Sequence, residues 1–127
     1  MKKKVMVVDD DPRNIFALKA ILRSRAFDCI HFGDAAEALS YLEGDGEVDI
    51  VLMDMMMPDM DGYEAIPKIK AIEKRRSVPV IAVTAQAMLG DREKCLNAGA
   101  DDYISKPIDV DKLFEVIKTK LGLNAER

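Results

Sequence analysis

The sequence predicts an α/β protein, a three-layer sandwich in which five helices cover a five-stranded parallel sheet. Two observations support this fold class. Short apolar runs recur along the chain and alternate with segments in which apolar residues have helical spacing. The runs are continuous, as in strands that are covered on both faces. The regular alternation of strand and helix predicts βαβ units with right-handed crossovers.

The length of 127 residues suits one domain, and we expect a single domain over residues 1–127 with its core over about 4–121. The net charge of −4 provides no electrostatic footprint for direct binding of nucleic acid. No apolar stretch approaches the length of a membrane span, and we do not expect the start of the chain to be a signal peptide, because its apolar run lasts only Val5–Val8. Cys29 and Cys95 lack metal-site spacing, and because we expect no secretion signal, we interpret them as reduced thiols of a cytoplasmic protein.

An apolar run followed by acidic residues marks the end of the first strand and the start of the first helix. The apolar run Lys4–Val8 ends in three consecutive aspartates. Asp11, the last of them, is placed to cap a helix that has Pro12 at its first position, where proline is tolerated. Apolar residues then recur at helical spacing through about residue 25.

The second strand is Phe27–Phe32, and Gly33 breaks it. Asp34 and Glu37 have the spacing of a capping box, which predicts a helix over Ala35–Glu43.

The third strand, Asp49–Met53, leads directly to Asp54. Asp61 is then placed to cap the third helix. Pro67 falls inside the helical pattern, where a proline removes a backbone hydrogen bond and costs about 3 kcal/mol. We therefore expect this helix to be kinked, or to begin later than Asp61 suggests.

The last two strands are Val78–Val83 and Asp102–Ser105. The helix between them is predicted over roughly Met88–Asn97. Asp109 caps the final helix and Gly122 ends it, in agreement with the preference for glycine just past a helix.

Polar residues collect at the carboxyl ends of the predicted strands. In an open parallel sheet these ends lie along one edge, and ligands bind there at the switch point of the strand order. We expect the flavodoxin-like order 2-1-3-4-5, in which the first and third strands are neighbours and their aspartates converge. The residues with this placement are Asp9, Asp10, Asp54, Thr84 and Lys106.

Three carboxylates in one cleft repel each other, so either one is protonated or a cation lies among them. Oxygen ligands without histidine or cysteine favour a hard divalent ion, and Mg²⁺ that keeps several waters is the best match. A lysine and a threonine hydroxyl nearby suit phosphate oxygens. The residues therefore indicate a Mg²⁺-dependent phosphoryl site, in which one aspartate could act as nucleophile and form an acyl phosphate.

Short motifs occur in a fixed order at these strand ends. They are Val7-Val8-Asp9-Asp10, Met53-Asp54, Met57-Pro58-Asp59-Met60-Asp61-Gly62, Val83-Thr84-Ala85 and Lys106-Pro107. Together they resemble the receiver domain of two-component response regulators, and the likeness covers almost the whole chain. Each motif alone is weak, but the order and the spacing make the set specific.

The resemblance implies roles for the three aspartates that follow the first and third strands, and for Met56. Asp54 would accept a phosphoryl group from a phosphohistidine on a histidine kinase or a histidine phosphotransfer protein. Asp10 would bind Mg²⁺ directly and Asp9 would act mainly through water. Met56 would contribute its backbone carbonyl to the metal, so its side chain would matter little there.

The resemblance also implies a switch and two contact surfaces. Lys106 would pair with the phosphate, and the Lys106-Pro107 bond would be cis. Thr84 would hydrogen-bond a phosphoryl oxygen, and Tyr103 would swing inward as Thr84 moves. This would reshape the face of the fourth helix, fifth strand and fifth helix, which would bind a downstream effector. Docking of the phosphodonor would use the start of the first helix: Arg13, Asn14 and Ala17.

The expected function is that of a signalling domain that assists its own phosphorylation and dephosphorylation and is not an enzyme. Three alternatives stay open: a degenerate receiver that docks without phosphorylation, a fragment of a hybrid histidine kinase, and a phosphatase or nucleotide-binding protein of the same fold. The lack of a P-loop, of a GxGxxG turn and of a D-x-D motif at Asp54 argues against the last. Plain packing is the alternative role of Tyr103.

Overall fold

Strands and helices alternate along the chain in a computed structural model that describes residues 2–85 and 90–123. The strands in this range are β1 Lys4–Val8, β2 Asp28–Phe32, β3 Ile50–Asp54, β4 Val80–Thr84 and β5 Asp102–Ser105. The helices are α1 Pro12–Ser24, α2 Ala35–Glu43, α3 Gly62–Lys70, α4 Asp91–Asn97 and α5 Val110–Leu121, with a 3₁₀ turn at Glu73–Arg75. Within these residues no helix is long and apolar enough to cross a membrane.

The described strands form one parallel sheet in the order β2-β1-β3-β4-β5, so the predicted order is confirmed. Val8, the last residue of β1, lies opposite Met53 of β3. Thr84, the last residue of β4, lies opposite Ser105 of β5. The register therefore brings the carboxyl ends of β1, β3, β4 and β5 to one edge of the sheet.

Helices cover both faces of the sheet, and alternate residues of each central strand belong to different cores. In β3, Val51 and Met53 pack into one core, whereas Ile50 and Leu52 pack into the other. Residues of α2, α3 and α4 complete the first core, and residues of α1 and α5 complete the second. The continuous apolar runs of the sequence follow from this double burial, and the predicted three-layer sandwich is confirmed.

Aspartate side chains begin four of the helices, as predicted. Each carboxylate accepts a hydrogen bond from a backbone N–H in the first turn, which satisfies a group that the helix itself leaves without a partner. These contacts are Asp11 with Arg13 at 2.9 Å, Asp34 with Glu37 at 2.8 Å, Asp61 with Glu64 at 3.0 Å and Asp109 with Lys112 at 3.2 Å.

The fourth helix begins differently, because its N-cap position is Gly90 in the left-handed conformation without a side-chain cap. The predicted start of this helix at Met88 lies outside the described residues. Its end at Asn97 is as predicted.

Of the two alternatives expected for α3, a kink or a late start, the late start is wrong. The helix begins at Gly62, directly after the Asp61 cap, and Pro67 lies inside it. The capping bond and the complete burial of Ile66 and Ile69 stabilise this turn against the cost of the proline. The helix ends at Lys70, soon after Pro67. A kink in α3 stays a prediction.

Three strands begin one or two residues later than predicted, and each has a local cause. The Phe27 N–H donates to Leu22 at the end of α1 and not to the sheet. Asp49 donates its N–H to the Lys4 carbonyl at 2.8 Å, but the Lys4 N–H in return donates to the Asp49 side chain at 2.7 Å and not to a backbone carbonyl. Pro79 has no N–H to donate, so β4 begins after it.

Candidate functional site

Asp54 ends β3, and its carboxylate is buried beside two others. Asp9 and Asp10 follow the neighbouring strand β1, and one oxygen of each of the three carboxylates lies within 4.8 Å of the other two. Asp9 is 3% exposed and Asp54 is 4% exposed, whereas Asp10 is exposed to solvent. The convergence of the three aspartates that the strand order predicted is confirmed.

Lys106, just past the end of β5, is the cation of this cluster. Its Nζ lies 3.5 Å from Asp9 Oδ2 and 3.6 Å from Asp54 Oδ2. One ammonium group therefore faces two buried carboxylates, which are costly to bury without compensation. Because Asp10 adds a third negative charge, the cluster keeps an excess of negative charge that Lys106 does not balance.

Hydrogen bonds hold the two buried carboxylates in fixed orientations. Asp9 Oδ1 accepts the Asp11 N–H at 2.8 Å, and Asp9 Oδ2 accepts a hydrogen bond from Asn14 Nδ2 at 3.4 Å. Asp54 Oδ1 accepts the Met56 N–H at 3.0 Å. Oδ2 of both carboxylates faces Lys106, and Oδ2 of Asp9 is shared between Lys106 and Asn14.

The surroundings of Asp54 raise its pKa above the ordinary value. Burial is the largest cause, and the charges of Asp9 and Asp10 act in the same direction, while the Met56 N–H and Lys106 lower the pKa of Asp54 in part. The ionised carboxylate is thus destabilised here.

An all-oxygen set of ligands with excess negative charge fits a hard divalent cation such as Mg²⁺.

Thr84 and Lys106 are joined through their backbones. Thr84 ends β4 and is fully buried, and its carbonyl accepts the Lys106 N–H at 2.7 Å. The Lys106-Pro107 bond is cis, as expected. Tyr103, in β5, is half-buried and packs against the core that α2, α3 and α4 complete. Its inward swing stays a prediction.

The three residues expected to dock the phosphodonor lie in the first two turns of α1. Arg13 and Ala17 are exposed, and Arg13 forms an ion pair of 3.1 Å with Asp11. Asn14 is half-buried and reaches Asp9. Asn14 and Ala17 line a groove of about 260 Å³ together with Asp9, Leu18, Ile21, Lys106, Pro107 and Ile108.

Sequence reasoning missed two features of α1. Phe16 exposes 75% of its surface on α1, and Asn14 is a hydrogen-bond partner of Asp9. The exposure of Phe16 had a signal, because this residue falls outside the apolar stripe that contains Leu18 and Leu22. The contact of Asn14 had none, because it depends on how α1 packs against β1.

Comparison with known proteins identifies the family. The family described as the response regulator receiver domain matches residues 5–118. The chain belongs to this family and is a receiver domain of two-component signalling systems.

Two relatives show this domain in different settings. The chain is 38% identical over 122 residues to the polar-differentiation response regulator DivK of Brucella ovis, and the match covers 96% of this chain and 98% of DivK. It is 42% identical over 125 residues to hybrid signal transduction histidine kinase I of Dictyostelium discoideum, where the match covers 94% of this chain and 7% of the kinase. The chain therefore spans nearly the full length of one relative and a small part of the other.

Solved structures agree on the fold. The receiver domain of a sensor histidine kinase from Pseudomonas aeruginosa PAO1 has a TM-score of 0.87 at 37% identity, and the match covers 96% of this chain and 99% of that one. That structure has a magnesium ion coordinated in its active site cleft. A CheY-like receiver domain from Methanospirillum hungatei has a TM-score of 0.84 at 35% identity, with coverage of 96% and 95%.

Proposed function

We propose that Asp54 is the phosphoacceptor of this receiver domain. The observation that carries the proposal is a buried carboxylate at the end of β3 whose Oδ2 lies 3.6 Å from the Lys106 ammonium, within a cluster of three carboxylates. An oxygen of Asp54 would attack the phosphorus of a phosphohistidine. The P–N bond would break, its electron pair would leave with the imidazole nitrogen, and an acyl phosphate would remain on Asp54.

Mg²⁺ is the proposed cofactor. Asp10, Asp54 and the backbone carbonyl of Met56 would hold it directly, and Asp9 would act through water. When bound, the ion neutralises negative charge that develops on the phosphoryl oxygens. The excess negative charge of the cluster and its set of oxygen ligands support this choice.

The remaining site residues would bind the phosphoryl group and report its presence. Lys106 would pair with one phosphoryl oxygen, since its ammonium already lies beside Asp54. The Thr84 hydroxyl would donate a hydrogen bond to another oxygen. Its movement, followed by Tyr103, would shift the equilibrium between two states of the face that α4, β5 and α5 form. The domain would thus assist its own phosphorylation and dephosphorylation without acting as an enzyme on other substrates.

The proposed partners are the protein that donates the phosphoryl group and the protein that binds the phosphorylated domain. A histidine kinase or a histidine phosphotransfer protein would dock on Arg13, Asn14 and Ala17, beside the groove at the site. The exposed ring of Phe16 extends that surface with an apolar contact. A downstream effector would bind the face of α4, β5 and α5. A cytoplasmic location, without nucleic acid or membrane insertion, completes the proposal.

Beryllium fluoride, an analogue of the phosphoryl group, provides the test. We expect Mg²⁺-dependent changes in amide NMR shifts at Asp54, Thr84, Tyr103 and Lys106, and none of them in Asp54→Asn. Phosphoryl uptake at another residue in that variant would contradict the assignment. Absence of binding in the wild type as well would favour the degenerate receiver, which docks without phosphorylation.

A fragment of a hybrid histidine kinase is the second candidate, and the Dictyostelium relative favours it, because the chain matches only 7% of that protein. The first candidate is a single receiver domain over residues 1–127, with its core over 4–121. An immunoblot of the source cells with an antibody against this domain separates the two. A band near 14.1 kDa supports the single domain, and a far larger band supports the kinase fragment.

A further inference from the structure

The stretch of chain around the acidic cluster contains five methionines with very different exposures. Met53 and Met55 are 0% exposed, and Met57 is 7% exposed. Met60 is half-buried against the core. Met56, in contrast, exposes 51% of its surface. The chain therefore presents one methionine of this stretch to solvent and protects its neighbours.

Met56 is also in direct contact with the proposed phosphoacceptor. Its N–H donates to Asp54 Oδ1 at 3.0 Å, so its backbone is fixed at the edge of the acidic cluster. A change in the chemistry of the Met56 side chain therefore takes place two residues from Asp54, at a residue that is exposed to solvent.

The two thiols of the chain compete poorly for an oxidant. Cys95 is fully buried and Cys29 is half-buried. Burial raises the pKa of both thiols, so little of the reactive thiolate is present near neutral pH. Met56 is thus the most exposed of the sulfur-containing residues in the described part of the chain.

We propose that Met56 is a site of oxidation by peroxides, and that its sulfoxide shortens the lifetime of the phosphoryl group on Asp54. A lone pair of the Met56 sulfur attacks one oxygen of hydrogen peroxide and the O–O bond breaks. The sulfur loses two electrons and gains that oxygen, and the peroxide is reduced to one water. The second half of this inference rests on the proposed function of Asp54.

The direction of the effect follows from the change in polarity. Oxidation converts a flexible apolar side chain into a polar one. The sulfoxide oxygen accepts hydrogen bonds from water, whereas the thioether accepts them weakly. Hydrolysis of the acyl phosphate requires a water in line with the bond that breaks. A water-binding group beside Asp54 therefore favours hydrolysis.

The first test maps the oxidation. Trypsin releases all five methionines in one peptide, because no lysine or arginine occurs between Arg25 and Lys68. After limited treatment of the folded protein with hydrogen peroxide, we expect tandem mass spectrometry to find sulfoxide at Met56 several-fold faster than at the four neighbours. Equal rates at all five positions, or faster oxidation at Met60, would overturn the proposal.

The second test measures the phosphoryl lifetime. The protein is phosphorylated with acetyl phosphate and Mg²⁺, the donor is removed, and the decay is followed by gel mobility. We expect peroxide treatment to shorten the lifetime several-fold in the wild type and in Met60→Leu. We expect no change on treatment of Met56→Leu, compared with the same variant untreated. Methionine sulfoxide reductase should restore the wild-type lifetime.

The inference has two parts, the oxidation of Met56 and its effect on the phosphoryl lifetime, and different results would contradict them. If the untreated wild type takes up no phosphoryl group at Asp54, the proposed function fails and the effect on lifetime fails with it, while the map of oxidation still decides the modification site. If uptake is normal and the lifetime of the oxidised protein is unchanged, or if Met56→Leu responds like the wild type, only the further inference is overturned.

Discussion

At the scale of single residues, the ionised form of Asp54 is less stable in the folded protein than the ionised form of an exposed carboxylate in water. Burial and the neighbouring charges of Asp9 and Asp10 raise its pKa, and one lysine only partly compensates. Such destabilisation is common where a residue is held for its chemistry and not for stability.

We predict that Asp54→Asn increases the free energy of unfolding without Mg²⁺ on the order of 1 kcal/mol, the usual size of a single-site effect. The amide oxygen can still accept the Met56 N–H, and Lys106 keeps Asp9 as its partner. Urea unfolding at neutral pH measures the difference. Because folding raises the pKa of Asp54, the wild type gains stability as the pH falls through that pKa, so the advantage of the variant should shrink in acid. A pH-independent difference would contradict the explanation.

Gly62 is a residue whose lack of a side chain allows the loop after Asp54 to close. A Cβ at this position would lie 2.9 Å from the Cα of Met55, a contact that real side chains do not make. The Gly62 N–H also approaches the Met55 carbonyl at 3.3 Å, so the two segments are close along their backbones.

We predict that Gly62→Ala lowers the free energy of unfolding by about 1–3 kcal/mol, the cost of overpacking a filled site. Thermal unfolding followed by circular dichroism measures the loss. Gly33→Ala is the matched control, because no atom lies within 4 Å of a Cβ built there. Equal stability of the two variants would mean that the loop moves aside without cost.

At the scale of elements, a buried arginine joins two connections at the amino ends of the strands. Arg75, in the 3₁₀ turn before β4, is 8% exposed. Its guanidinium donates to the carbonyl of Leu42 at 2.8 Å, of Gly44 at 3.0 Å and of Gly46 at 2.6 Å. One side chain therefore satisfies three carbonyls at and after the end of α2.

We predict that Arg75→Met lowers the free energy of unfolding by about 2–4 kcal/mol, because three carbonyls lose a charged donor in a partly buried place. Arg76→Met, one residue further and exposed, should change it by less than about 0.5 kcal/mol. Urea unfolding of both variants decides the matter, and a small loss in Arg75→Met would show that water replaces the guanidinium.

These elements also explain which parts of the fold the sequence could predict. An aspartate cap such as Asp34 acts three residues along the chain, so its pattern is local and was correctly predicted. The contacts of Arg75 join residues about thirty positions apart, and no local pattern encodes them. Pro67 misled the prediction because burial of the α3 face outweighs the preference of one residue.

The features of the site also divide into those that the sequence predicts and those that it does not. The placement of Asp9, Asp54 and Lys106 follows from strand order, since each residue comes directly after or at the end of a strand. The division of Lys106 between two carboxylates does not follow from the sequence, because it depends on side-chain conformation at the completed edge. Placement was therefore predictable, and the electrostatic balance was not.

At the scale of the whole molecule, binding of a cation and stability of the fold are linked. A ligand that binds only the folded state raises the free energy of unfolding, by about 2.7 kcal/mol when its concentration is 100 times its Kd. The acidic cluster exists only when β1 and β3 are paired in the sheet. Mg²⁺ should therefore stabilise the complete domain.

We predict that added Mg²⁺ raises the Tm of the wild type in a dose-dependent way and fails to do so in Asp10→Asn, which removes a proposed ligand. Asp59→Asn, at an exposed position of the loop after Asp54, is the control for general screening of charge and should respond like the wild type. Differential scanning calorimetry measures all three. An equal rise in Asp10→Asn would show that the ion acts elsewhere.

The position of the Arg75 contacts has a consequence for how such a domain can diverge. They lie at the amino ends of the strands, whereas the acidic cluster lies at the carboxyl ends. Substitutions that adapt the loops beside Asp54 to a new partner leave the arginine and its three carbonyls untouched. Gene duplicates can thus drift apart in pairing specificity at one end of the sheet while selection on the opposite end preserves a common, stable scaffold.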